Sequence, residues 1–333
     1  MESRKITLAT GLTFSSTRAS SLDLPMNGII NKIRTRVTGT YTGTDGNLSV
    51  EAPYNIFSNI AVITSKGTTA YSLASKDLRI ANYLDKKGQV VSSIGSGAYE
   101  MNFILDRGEL LAYSQDKLPN NVDHPALPFG GLTLSVNWAT DLQFGATDIV
   151  ITAGSASIEL EETLATVSEL QAIYGERLER YQFPQLITQG DVSISSNSSP
   201  LKVLKPATGG LKKRIIIVAS NSSSVRNNTV VTKIQLKNST LGEQETPIDR
   251  TFLSMQNEDK EQYDLGTALV GVASIDILSE ITNDNIGMRS YRFDEKLELH
   301  TQNSATGFIR IIEENKIVNV SAIEQAIAIG LVR

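Results

Sequence analysis

The chain has few groups that could do chemistry, and their settings argue against catalysis. It has only two histidines and no cysteine. His124 lies in Asn121-Val122-Asp123-His124-Pro125, where a loop hydrogen-bonding role suffices, and His300 ends an alternating run, where a solvated or interface position fits. Two isolated histidines without cysteine cannot supply the usual structural zinc set, and the absence of cysteine excludes disulfides and thiolate ligands. No Gly-x-Ser-x-Gly elbow supports a serine nucleophile. Gly95-Ser96-Gly97 lacks the third glycine and the strand-turn-helix context of a dinucleotide site. Ala207-Thr208-Gly209-Gly210-Leu211-Lys212-Lys213 has no hydroxyl residue after a Gly-Lys pair, so a turn is expected there rather than a phosphate cradle. Glu159, Glu161, Glu162, Glu313 and Glu314 close two apolar runs. Paired carboxylates can hydrolyse glycosides, but solvated strand ends need no catalyst to explain them. The single tryptophan, Trp138, falls on an apolar alternation and is expected in a core; one tryptophan is thin provision for stacking sugars. No catalytic, cofactor-binding or metal-binding residue is expected.

Basic residues form the remaining candidate site: Arg4, Lys5 and Arg18 near the start, and Lys202, Lys205 and the presumed turn Lys212-Lys213-Arg214 in the second half. Two readings are open. They are a solvated face, or they line an inner surface facing anionic lipid headgroups, where each cation contributes about 1 kcal/mol. The net charge of −5 and pI of about 5.3 argue against a specific nucleic-acid partner. No apolar run approaches the ~20 residues of a membrane span, and MESRKITLATGLTFSS lacks the apolar core of a signal peptide.

The elements that must hold these residues are mostly short strands. At 333 residues the chain is long enough for about two domains. Residues 1–22 read as an arm with little core of its own. Ile30, Ile33, Thr35, Val37 and Tyr41 alternate into the turn Thr44-Asp45-Gly46-Asn47, and Ile56, Ile60, Val62 and Ile63 make a second strand. Leu78, Ile80, Ala81 and Leu84 have helical spacing, with a stop at Lys86-Lys87-Gly88. Strands follow at 99–105 and 132–138, separated by a loop with Pro119, Pro125 and Pro128. Thr166 and Glu169 suggest a capping box that opens a helix ending at Pro184. Strands recur around Ile215, Val231 and Val272, with a helix expected at 251–262 and a last one from Ser321.

The pattern repeats. Residues 142–162 and 291–314 each read as two alternating strands around a short turn, closed by acids, and each ends a similar order of apolar runs. The expected fold is all-β: two tandem eight-stranded antiparallel jelly rolls joined by a helical linker, with short helices in each half and at the C-terminus. The expected segments are an arm (1–22), a first roll (23–163), the linker (164–184), a second roll (185–318) and a terminal helix (319–333). An immunoglobulin-like sandwich is the competing all-β solution.

Leu24-Pro25-Met26-Asn27-Gly28-Ile29-Ile30-Asn31-Lys32-Ile33, then Pro53-Tyr54-Asn55-Ile56-Phe57-Ser58-Asn59-Ile60, then the tandem order with its linker, together resemble the double jelly-roll major capsid proteins of tailless icosahedral bacteriophages and archaeal viruses with an internal membrane. The resemblance runs over roughly 25–320. It implies a non-enzymatic structural protein of the virion, made in the host cytoplasm and assembled as homotrimers whose six rolls imitate a hexagon. The partners it implies are neighbouring capsomers, minor capsid or penton proteins and an internal lipid membrane. The competing functions are a two-jelly-roll glycan-acting enzyme and a carbohydrate- or receptor-binding sandwich.

Overall fold

The computed structural model describes residues 2–8, 11–15, 17–25, 28–64, 67, 69–84, 92–106, 132–164, 182–204, 211–238, 243–244, 248–249, 269–276 and 297–318. Residues 165–181 of the expected linker helix, the helix at 251–262, the C-terminal helix, the proline-rich loop with His124, the stop at Lys86-Lys87-Gly88 and Lys205 all lie outside these residues; the ends of the expected linker, Leu164 and residues 182–184, are strand rather than helix. The chain divides into two compact units, Met1–Gln185 with Val318–Arg333, and Leu186–Ile317.

In the first unit the strands are β1 (Glu2–Thr7), β2 (Leu12–Thr13), β3 (Ala19–Leu24), β4 (Gly28–Thr42), β5 (Phe57–Thr64), β6 (Thr69–Leu73), β7 (Ser92–Gly95), β8 (Ala98–Asp106), β9 (Leu132–Trp138) and β10 (Val150–Leu164). One sheet runs β1-β10-β4-β8-β7, with β2 also on β10; the other contains β6-β5-β9-β3. Setting aside β2 and the β7 hairpin arm, the first, eighth, third and sixth strands make one sheet, and the second, seventh, fourth and fifth make the other. That order defines a jelly roll.

The second unit repeats it. Its strands are β11 (Gln182–Ile194), β12 (Asn197–Leu204), β13 (Leu211–Asn221), β14 (Val231–Asn238), β15 (Glu243–Gln244), β16 (Ile248–Asp249), β17 (Val272–Asp276), β18 (Leu297–Asn303) and β19 (Gly307–Val318). One sheet contains β11-β19-β13-β17; the other is β12-β18-β14-β15, with β16 also on β14. Counting β15 and β16 as one broken strand, the order is again first-eighth-third-sixth and second-seventh-fourth-fifth. The whole-domain repeat read from the sequence is therefore real.

Its details differ from the expectation in three places. First, residues 2–24 are the first two strands of the first roll, not an arm outside it: β1 pairs with β10 and β3 with β9. Second, 142–162 is not a hairpin. Asp141–Phe144 is a helical turn, α2 below, closed by a capping box in which Thr140 accepts from the Gln143 N–H. From Val150 the chain then runs as one strand through the Gly/Ser stretch. The second block, 291–314, is no hairpin either: β18 and β19 lie in different sheets, and their counterparts in the first roll are β9 and β10, joined by 139–149. Third, Lys212-Lys213-Arg214 lies inside β13, not in a turn.

Gly154 is a point of close approach, which explains why AGSAS does not turn. A Cβ there would lie 2.6 Å from the Trp138 ring and 2.7 Å from the Tyr99 hydroxyl, and one at Gly39 would also strike Tyr99. The hydroxyl passes between the two glycines and donates to the Ala153 carbonyl at 3.0 Å. Trp138 itself is buried and stacks edge-on against Phe57 (4.7 Å) and Phe14 (5.6 Å), with Phe57 against Phe103 (5.8 Å). Gly154→Ala is expected to overpack this cluster and lower stability by about 1–3 kcal/mol, read as a lower urea midpoint at unchanged slope.

Helix α1 (Ser75–Leu84) follows β6 and buries Leu78, Ile80, Ala81 and Leu84. The Ser75 hydroxyl fixes its start, donating to the Tyr54 carbonyl at 2.6 Å and accepting from the Phe57 N–H at 3.0 Å. In the second roll Ile215, Ile217, Ala219, Val231, Ile234, Leu236, Leu299, Ile309 and Ile311 form the core. Among the described residues no helix is long and apolar enough to cross a membrane.

Candidate functional site

Within the first unit the basic residues lie apart. Arg4 and Lys5 lie on β1, opposite Glu162 and Glu161 of β10. The Arg4 Nε donates to Glu162 Oε1 at 2.6 Å, and that glutamate is fully buried while Arg4 stays 41 % exposed. Arg18 serves the opposite end of β10. It donates to the Ala139 carbonyl and pairs with Asp141 at 3.0 Å, and its guanidinium sits over the Phe14 ring. Arg214, in the other roll, is buried and pairs with Glu314 at 3.7 Å. It is therefore not part of a solvated or lipid-facing patch. Lys202 lies on β12 opposite Thr301, and Lys212 and Lys213 follow the backbone of β13.

The five glutamates are equally committed to the framework. Arg34 holds Glu159 at 2.9 Å and Glu161 at 2.5 Å. Glu313 is fully buried and accepts from Gln189 at 2.5 Å. Glu162 and Glu313 are alike in three respects: each is fully buried on the eighth strand of its roll, opposite an isoleucine of the third (Ile30, Ile215), and contacted from the first strand. The closing acids that signalled the repeat thus tie first strand to last in both rolls. His300 lies on β18 with Nε2 3.0 Å from Glu298 Oε2, a pair within one strand. Among the described residues no group of three or more His, Asp or Glu could hold a metal ion.

Two surfaces have a built character that the sequence did not announce. One is the outward face of β1-β10-β4-β8. Ile33, Thr35, Val37 and Tyr41 of β4 point into the core, so Arg34, Arg36, Thr38 and Thr40 point out. Arg36 reaches Glu100 at 2.7 Å, and Thr40 bonds Thr152 at 2.7 Å. The face is a ladder of paired charges running into hydroxyls. The other surface is the loop end of the same roll. Leu48 bridges to Gly145, the Ser49 N–H donates to the Phe144 carbonyl at 2.9 Å, and the Asn55 amide donates to the Gln143 carbonyl at 2.5 Å.

Two carboxylates fasten that end. Hydrogen bonds from the Tyr41 hydroxyl (2.5 Å) and the Ser96 N–H (2.9 Å) hold Asp45 below the usual carboxylate range. The Asn47 amide and the Thr44 N–H, each at 3.0 Å, do the same for Asp148. A depressed folded-state pKa contributes stability that is present above the ordinary carboxylate value and lost as pH falls through the folded value. The urea midpoint is therefore expected to decline below the ordinary aspartate range, and D45N/D148N should be less stable at neutral pH with a flatter acid limb.

No family model and no curated protein sequence matches the chain. Solved structures do. A crystal structure of the STIV major capsid protein shares 18 % identity, with a TM-score of 0.73 over 96 % of this chain and 97 % of that one. The PBCV-1 protein VP54, as fitted into a reconstruction of the virophage Sputnik, shares 11 % identity at a TM-score of 0.60, covering 95 % and 93 %. The major capsid protein P2 of bacteriophage PM2 shares 12 % at 0.58, covering 96 % and 98 %. This chain has the double jelly-roll fold of viral major capsid proteins. The agreement spans nearly the full length of both partners, so the likeness concerns the tandem arrangement and not one roll alone.

Proposed function

We propose that the protein is a viral major capsid protein that assembles as a homotrimer, the six rolls of which make a pseudo-hexameric capsomer of an icosahedral shell. The observation that supports this is the pair of rolls with the same strand order, matched end to end by three capsid proteins. The side chains that chemistry would need are used elsewhere: Trp138 in the core, and Glu159, Glu161 and Glu162 in ion pairs between strands. The role is structural rather than enzymatic, located in the virion after synthesis in host cytoplasm. Partners on this reading are further copies of the chain, minor capsid or penton proteins and an internal lipid membrane, with no specific nucleic acid.

Sedimentation equilibrium with negative-stain microscopy of the purified chain tests the reading. Trimers of hexagonal outline are expected. A monomer at all concentrations, or hydrolysis of glycans by the pure protein, would overturn it.

A further inference from the structure

Among the described residues four large apolar side chains are exposed: Val50 (80 %), Leu142 (71 %), Val150 (43 %) and Val225 (41 %). They are not scattered. Val50 and Val225 lie in the connections from third to fourth strand of their rolls, and Leu142 and Val150 lie in or just after the connection from seventh to eighth strand of the first roll. In the first roll the two connections are fastened together, by the bridge between Leu48 and Gly145 and by the Ser49 N–H on the Phe144 carbonyl. Neither Val50 nor Leu142 serves the fold. The Ala52 N–H donates to the Ser49 carbonyl at 2.9 Å, so Val50 stands at the tip of a tight turn, where a β-branched residue has no backbone advantage. Leu142 sits in α2, which buries Phe144 instead. Exposed apolar side chains gathered in one place mark interaction sites, whereas single ones need no explanation.

The same end of the first roll carries two exposed carboxylates that, among the described residues, no cation balances. Asp45 is held by the Tyr41 hydroxyl and the Ser96 N–H, and Asp148 by the Asn47 amide and the Thr44 N–H, all neutral donors that favour the ionised form. Asp141 differs, because Arg18 compensates it. We infer that this end of the first roll, Val50 and Leu142 flanked by Asp45 and Asp148, docks a segment of another protein that presents lysine or arginine beside aliphatic side chains.

Charge decides the occupant. Asp45 and Asp148 repel an anionic lipid headgroup, and a purely apolar segment would desolvate them without a partner. A second copy of the chain is a poor source of the cations: Arg4, Arg18, Arg34, Arg36, Arg214 and Arg310 are each paired with a carboxylate of their own chain. An apolar centre with a polar rim is the usual anatomy of an interface between separately folded proteins. The turn at Val50 and the capped α2 are both fixed by hydrogen bonds before docking, so little conformational freedom is lost on contact. The surface lies within one roll and is the same whatever oligomer the chain forms.

The probe is a synthetic hexapeptide of alternating leucine and lysine, titrated into the full chain by calorimetry, with leucine–glutamate and serine–lysine hexapeptides as comparators. The leucine–lysine peptide should bind, more weakly as salt rises, and each comparator should bind at least about ten-fold more weakly. V50S/L142S should lower the affinity for the leucine–lysine peptide by at least about ten-fold, because both side chains supply apolar area to the contact. Both are exposed, so circular dichroism and the urea midpoint should match wild type. V225S, in the corresponding connection of the second roll, is the control and should bind as wild type does. If V50S/L142S fails to fold, hydrogen exchange of the wild-type chain supplies the second test: the peptide should slow exchange at 44–52 and 140–150 and not at 221–229. No binding of the leucine–lysine peptide, equal binding of the leucine–glutamate peptide, an affinity that V50S/L142S leaves unchanged, or protection only elsewhere overturns the inference. Each of these outcomes leaves trimerisation untouched, so the capsid reading stands or falls separately, on sedimentation.

Discussion

Deleting residues 1–22 is expected to unfold the first roll rather than to release a dispensable arm. The deletion removes all of β1 and β2 and most of β3. It takes away Leu12, buried to 1 % exposure, the edge contact of Phe14 on Trp138, and the Arg18 bridge to Ala139 and Asp141. Losing a buried leucine costs about 2–5 kcal/mol, and the edge contact of the half-buried Phe14 on Trp138 about 0.5–1.5 kcal/mol more. Together these approach the ~5–15 kcal/mol that holds a whole domain. Both sheets would also lose an edge strand, leaving β10 and β9 with unpaired backbone groups that invite aggregation. Trp138 is the only tryptophan, so its fluorescence reports on this roll directly. A red-shifted emission with loss of near-ultraviolet dichroism is expected. A deletion variant with wild-type emission and melting would mean that residues 2–24 contribute nothing essential to the sandwich.

That segment was hard to read because its strands are edges. Ala19-Ser20-Ser21-Leu22-Asp23-Leu24 and Glu2-Ser3-Arg4-Lys5-Ile6-Thr7 carry hydroxyls and charges at most positions, as edge strands do to discourage mispairing. The apolar alternation that reveals a half-buried strand is weak in them. Strands inside the sheets were readable for the opposite reason. β4, β8 and β9 bury every second side chain, and their sequences alternate accordingly. The Gly/Ser stretch of β10 misled because glycine marks turns and close approaches alike. Only the tertiary position of Trp138 and Tyr99 separates the two at Gly154. The capping box at Thr140 and Gln143 was available in the sequence and would have placed α2.

The candidate site divides along the same line. The sequence grouped Lys212, Lys213 and Arg214 as a basic turn because they are adjacent. Burial of Arg214 against Glu314 depends on β19, about a hundred residues later by the spacing of the two. Arg4 and Glu162 are 158 positions apart, and no local pattern couples them. What the sequence did carry was the acid pair at the end of each half. Its structural meaning, a carboxylate that ties the last strand to the first in each roll, emerged only when the strand order was known.

That tie gives the second large effect. Arg4→Ala is expected to destabilise the first roll by about 3 kcal/mol, the low end of the cost of leaving one partner of a buried pair uncompensated. The low end applies because Arg4 is itself 41 % exposed, whereas Glu162 is fully buried; water reaches one partner and not the other. The Oε2 atom of Glu162 has no hydrogen-bond partner, so removing Arg4 takes away the charge-assisted bond on Oε1 and leaves the carboxylate with little in its place. Glu162→Leu alone should cost less than Arg4→Ala, because it removes the buried charge instead of stranding it. The double variant R4M/E162L should return close to wild type, since apolar groups of similar volume can replace a buried pair without loss. Urea unfolding of wild type, R4M, E162L and R4M/E162L at one pH completes the cycle, with R4A as the truncation that strands the charge. Equal losses for both single variants, adding in the double, would show that the pair is not coupled and that strand β1 is held by its backbone ladder alone.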